Sequence, residues 1–199
     1  MNRAKIISEI VKFQLKPGFE PAFSKLRQTV VADGGVKEQY HGLSHKKDHL
    51  AWVIQWPESS GPLQDPSFRD ELKRLDMNES PVSWLVPFAD ASQPRRALVA
   101  PCAQLCTVPL KPGTDAGALA TPLHKTYSDC YEAPGFTGGY WGTALNEPLK
   151  NWYYLGWETR AAHDAYAETA LFWVEINNLA PYMSGGDSGY YTFTQQLSA

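Results

Sequence analysis

The chain has 199 residues, 43% of them hydrophobic and 20% charged, with a formal net charge of −3. That length suits one large domain or two of roughly 100 residues, and the composition is that of a globular protein rather than a disordered one; the slight acidity leaves no basic surplus for phosphates, which argues against nucleic acid and anionic membrane as partners. No run approaches the ~20 apolar residues of a membrane span, and MNRAKIISEIVKF alternates apolar with polar instead of forming a signal-peptide core, so a cytoplasmic location is expected.

Residues 6–13 form an apolar, strand-like run that Lys16-Pro17-Gly18 terminates, since Pro lacks a ladder donor and Gly tolerates the turn. Phe19, Phe23, Leu26 and Val30 then recur every three to four residues, the spacing of one apolar helix face, and Gly34-Gly35 stops that helix. A strand in residues 34–42, a polar turn at 44–48 and a strand over 49–56 ending in Trp56 make a hairpin. A helix over 67–75 and a strand over 82–88 complete the set, and Gln93-Pro94-Arg95-Arg96 is the expected linker.

The same order then repeats, and a repeat of this kind outranks any single motif. Residues 103–108 are followed by Lys111-Pro112-Gly113, and residues 114–120 read as an extra turn. A working helix is expected over 121–131, with Thr121 as N-cap and Pro122 at the first helical position. Residues 135–142, a turn at 146–150 and a strand over 150–157 ending in Trp157 match the first hairpin. An irregular helix over 160–179 and a strand over 189–195 close the second copy. The reading is two tandem ferredoxin-like βαββαβ repeats, residues 1–92 and 97–199. One sheet with helices on one face leaves its other face apolar, so the two sheets should pack into an intramolecular pseudo-dimeric α+β barrel. Such a barrel is complete within one chain, with further homo-oligomerisation left open.

These features resemble the dimeric α+β barrel superfamily, in particular its antibiotic-biosynthesis-monooxygenase and stress-responsive branches. The likeness lies in the strand, the Lys-Pro-Gly turn, the amphipathic helix, the Gly turn, the hairpin and the closing Trp, together with residues 64–69 before the second helix. The resemblance implies a small-molecule protein. The leading expectation is a cofactor-independent enzyme of secondary metabolism that cyclises or isomerises an aromatic or polyketide-like substrate by proton transfer. A cofactor-free monooxygenase of phenols and a non-catalytic ligand-binding or stress-response protein are the alternatives. Tyr140-Trp141-Gly142 resembles a strand of plant polyketide-cyclase barrels, but that family's His-Pro-x-His segment reads Asp65-Pro66-Ser67-Phe68 here, so its catalytic His does not carry over.

Residue chemistry narrows the candidates. Cys102 and Cys106 lie four apart on one strand, ~13 Å when extended, too far for a disulfide. His41 and His45 are similarly separated by ~13 Å, and His45 with His49 makes only two ligands, so no metal is expected. No phosphate loop, dinucleotide fingerprint or nucleophile elbow occurs, and no cofactor is expected. His41 in mid-strand is a candidate general base, and Glu9 shares parity with the apolar Ile7, Val11 and Phe13. Their counterparts are Trp141 and Gln104, which makes the first copy the expected reaction centre. His124 and Tyr127, at i and i+3, are the second-copy candidates, whereas His163 at the start of a helix is expected to be exposed. Aromatics reach 13%, enough to wall a pocket for a flat ligand. Trp52, Trp84, Tyr140, Trp141 and Tyr190 are the substrate-binding candidates.

Overall fold

The computed structural model describes residues 5–198. The chain divides into two compact units. One comprises the residues up to Ala91 together with those from Phe193 onward, and the other is Ser92–Thr192. Each is a ferredoxin-like α+β unit.

The first unit contains β1 (Ile6–Phe13), α1 (Glu20–Ala32), β2 (Glu38–Leu43), β3 (Leu50–Pro57), α2 (Pro66–Leu75) and β4 (Val82–Phe88). β1 ends where the sequence predicts, and Gly18 adopts φ +81°, which an L side chain rarely tolerates. The equivalent Gly113 sits at φ +82°, so the two Lys-Pro-Gly turns share one conformation. The helical periodicity of α1 is realised by the burial of Phe23, Leu26 and Val30, each contributing ~1.5–3 kcal/mol. α2 starts on Asp65, whose carboxylate accepts from the Ser67 amide at 2.9 Å, with Pro66 in the first turn. Both helices cover the sheet face that carries Val11, Phe13, Trp52, Ile54 and Trp56.

The second unit holds α3 (Ser92–Leu98), β5 (Cys102–Pro109), α4 (Ala120–Ser128), β6 (Phe136–Thr143), β7 (Lys150–Trp157), α5 (Arg160–Ala167), α6 (Ala170–Leu179) and β8 (Asp187–Tyr191). Its sheet order is β6-β7-β5-β8, all antiparallel. Four local expectations are corrected here. The supposed linker is α3, which packs on β6 and β7 and buries Pro94, Ala97 and Leu98. α4 begins at Ala120, so Thr121 and Pro122 lie inside its first turn, where a missing amide costs no helical bond, and residues 129–132 tighten into a 3₁₀ turn. The long second helix is two helices, because Thr169 Oγ1 caps α6 by accepting from the Phe172 amide at 3.2 Å.

The fourth correction concerns the last strand. β8 stops at Tyr191, and β9 (Thr194–Leu197) pairs instead with β2 in the first sheet, whose order becomes β4-β1-β3-β2-β9. Gln195 donates to Glu38 Oε1 at 3.2 Å and Tyr40 Oη at 3.1 Å, while Phe193 meets the Tyr40 ring at 6.4 Å. β2 is therefore not an edge strand, since its unpaired backbone groups recruit the chain terminus. Cys102, Cys106 and Cys130 are all reduced. Among the described residues no helix is long and apolar enough to cross a membrane.

Candidate functional site

In the second unit a cavity of about 310 Å³ opens between β5, β8 and the helices α4 to α6. Strand pairing builds its polar wall, because Gln104 on β5 lies opposite Tyr190 on β8, and Cys106 opposite Ser188. Its apolar wall includes Val108, Leu155, Phe172, Ile176 and Met183. The break at Thr169 lets Tyr166 and Phe172 meet edge-on at 5.6 Å, so that both α5 and α6 reach the cavity.

Gln104 is the hub of the polar wall. Its Oε1 accepts from the Trp157 indole at 2.9 Å, and since an indole nitrogen only donates, this contact orients the amide. The amide nitrogen then faces Ser188 Oγ at 2.9 Å, Tyr190 Oη at 3.2 Å and His163 Nε2 at 3.3 Å. Two N–H groups meet three acceptors, so both amide protons are engaged within the wall.

His163 is the imidazole of this wall, and its expected exposure is corrected. Thr159 caps α5, and His163 at its start faces inward, packing on Trp157 at 5.2 Å with 12% of its side chain exposed. Its Nδ1 lies 3.1 Å from Asp164 Oδ1, and a carboxylate can only accept, so the neutral ring carries its proton on Nδ1 and presents a lone pair at Nε2. Tyr190 Oη lies 3.1 Å from Nδ1 and 3.3 Å from Nε2. Burial pushes His163 below its usual value and Asp164 opposes the shift, so the ring is neutral at pH 7 and able to take a proton. Burial likewise pushes the Tyr190 phenol up and keeps it a hydrogen-bond donor.

Of the nine residues singled out from sequence, Tyr190 lines this cavity and the others lie elsewhere. Glu9 is buried in the first unit, where it accepts from the Trp56 indole at 2.8 Å and from Arg69 at 2.7 Å. It holds the place that Gln104 holds in the second unit, but all its partners are structural. His41 is one strand beyond, with β3 between it and β1, and no hydrogen bond links it to Glu9. The His41 ring meets Phe23 at 5.7 Å, and its Nδ1 is buried without a hydrogen-bond partner. Trp52 is fully buried, donating to Gln39 at 2.8 Å. Trp84, opposite Ile10 on β1, has Lys12 over its ring at 5.9 Å.

In the second unit His124 is exposed and accepts from the Trp141 indole at 3.1 Å. Tyr127 donates to the Gly139 carbonyl at 2.9 Å and packs on Tyr140 at 5.5 Å, with burial raising its pKa well above the usual phenol value. Trp141 stacks on Tyr153 at 5.6 Å. His163, Gln104 and Ser188 were not among the sequence candidates. The available signal was the i, i+3 pair His163 and Tyr166 on the helix that follows Trp157, which shares one face of α5, and both residues line the cavity. Among the described residues, no three His, Cys, Asp or Glu side chains converge as a metal site would require.

His41 has a measurable consequence for stability. Burial, assisted by the nearby Arg27 charge, pushes it down to about 4. Between the ordinary value of about 6.5 and that lowered value, the unfolded chain binds the proton and the folded chain does not. Stability is therefore greatest above pH 6.5 and falls as the pH drops toward 4. Allowing for partial exposure, the loss should be about 1–2 kcal/mol. Denaturant midpoints at pH 7 and 4.5 should show His41→Phe losing that much less than the parent, and equal losses would exclude this role.

No protein-family model and no curated protein matches the sequence. Solved structures do. A candidate monooxygenase from Fusobacterium nucleatum superposes with a TM-score of 0.66 at 10% identity, covering 100% of this chain and 97% of that one. A second, from Lactobacillus acidophilus, gives 0.64 at 11% identity over 98% and 97%. An anthrone oxidase-like protein gives 0.66 at 14% identity over 96% and 93%. Likeness at this level of identity establishes the tandem ferredoxin-like fold as a shared one.

Proposed function

We propose that the chain is an enzyme acting on a neutral, flat aromatic or polyketide-like substrate, which it binds in the cavity of the second unit and activates by transferring a proton to His163. The observation that carries this reading is the placement of one neutral, inward-facing imidazole and the Ser188 and Tyr190 hydroxyls around Gln104 on one wall of an otherwise apolar pocket. A base and hydrogen-bond donors close together are what carbanion and enolate chemistry requires. No Lys or Arg is among the lining residues, and the one acid there is Asp187, so a carboxylated ligand finds no counter-charge. The volume of about 310 Å³ is in the range of small-molecule sites.

In the first reading His163 Nε2 takes a proton from an acidic carbon while the Tyr190 or Ser188 hydroxyl donates to the resulting enolate oxygen. Return of the proton at another carbon isomerises the substrate, and attack of the carbanion on a carbonyl carbon cyclises it. A second reading draws support from the monooxygenase and anthrone oxidase-like names of the structural neighbours. There the same carbanion meets O₂, and an activated methylene becomes a carbonyl with one oxygen atom retained and the other released as water. Both readings ask of the protein only a base and donors.

Incubating the protein with anthrone in D₂O, with an oxygen electrode in the vessel, separates the readings. Deuterium entering the methylene without oxygen loss supports proton transfer alone, and one O₂ consumed per quinone formed supports oxygenation. Tight binding with neither outcome, across a panel of tricyclic phenols, would reduce the protein to a carrier and overturn the enzymatic proposal.

A further inference from the structure

We infer that Arg160, outside the cavity lining, is the residue that positions both His163 and Tyr190. The inference rests on the proton-transfer reading above and deepens it. Arg160 begins α5, and its guanidinium carbon lies over the Tyr190 ring, 3.8 Å from the centroid. Its Nε donates to Asp164 Oδ1 at 2.7 Å, and that same oxygen accepts from His163 Nδ1 at 3.1 Å. One side chain therefore touches the phenol directly and reaches the imidazole through a single carboxylate oxygen. The spacing follows from the helix, since Arg160 and Asp164 are i and i+4 with His163 beside Asp164.

The planar guanidinium suits this double task. It stacks on a ring with its face while it donates with its edge, which an ammonium cannot do. An exposed ion pair is usually worth little to stability, and both members here are half-exposed at 50%. A contribution to folding is therefore a weak reason for this arrangement, and holding two ring orientations at once is a stronger one. Small displacements of a base from its substrate are costly to turnover.

The groups facing His163 set the expected signs. Asp164 on α5 raises its proton affinity and Arg160 lowers it, while Trp157 from β7, Tyr190 from β8 and Gln104 from β5 are uncharged at neutral pH. The Cys102 thiol of β5 senses the same two charges, and burial keeps it protonated. Asp187 is the remaining acid on the cavity wall.

The test follows the His163 ring protons by NMR through a pH titration of the intact chain, in Asp164→Asn, Arg160→Ala and Arg160→Lys. The expected result is a midpoint that falls in Asp164→Asn and rises in Arg160→Ala, with melting temperatures close to the parent. In turnover, Arg160→Ala should lower kcat on the order of tenfold with KM little changed, and Arg160→Lys should restore only part of it. Unmoved midpoints, shifts of the same sign, or full rescue by Lys would overturn the clamp. If no substrate is turned over by the parent, the functional reading fails, and the titration still decides on Arg160.

Discussion

Replacing His163 with Gln should lower kcat by about 10²- to 10⁴-fold, the range that a lost general base costs. Gln fills a similar volume and keeps a hydrogen-bonding edge toward Gln104 and Tyr190, but it cannot hold a proton at neutral pH. Ligand affinity should therefore change much less than turnover. In the parent, activity requires the neutral ring and so rises with pH through the His163 midpoint. Burial places that midpoint below the ordinary value of about 6.5, so the acid limb of kcat/KM should lie below 6.5 and vanish in the variant. His124→Gln is the control, since that ring is exposed and outside the cavity. Equal losses in the two variants, or an unchanged acid limb in His163→Gln, would remove His163 from the reaction. A normal melting temperature must accompany the loss, because the ring also packs on Trp157.

Replacing Glu9 with Ala should destabilise the protein by about 2–4 kcal/mol by urea denaturation. The carboxylate is fully buried and holds two donors, the Trp56 indole and the Arg69 guanidinium. Its removal leaves the buried indole N–H without an acceptor and Arg69 without its counter-charge. Arg69 retains 29% exposure and can turn partly to water, which keeps the cost below that of a wholly enclosed pair. Glu9→Gln should be milder, because an amide oxygen at the equivalent place already serves Trp157 in the second unit. A loss under about 0.5 kcal/mol for Glu9→Ala, the scatter of ordinary surface substitutions, would show that the network is dispensable. Glu9→Gln also bears on the site, since a folded variant with abolished turnover would return the reaction centre to the first unit.

Several features of this protein depend on short-range chemistry and can be read from the residues alone. The two Lys-Pro-Gly turns, the apolar runs that precede them and the helix spacing from Phe19 to Val30 are local, and each repeats or is periodic. The bounds of β1 and β4 match the apolar runs, and Glu9 shares its strand face with Val11 and Phe13. The likeness of Glu9 to Gln104 was also visible in the repeat, and both accept a hydrogen bond from the Trp that closes the third strand. Tertiary structure alone decided the rest. β9 leaves the second repeat for the first sheet because β2 has an unpaired edge, a property of a distant strand that residues 194–197 do not encode. The second-unit cavity depends on how α5 and α6 break at Thr169, and its lining draws on strands and helices spread over more than 80 positions. His163 looked like a solvated residue at a helix start. Its ring instead packs on Trp157 and lines the cavity, because the rotation of α5 about its axis, set by packing, decides which residues face inward.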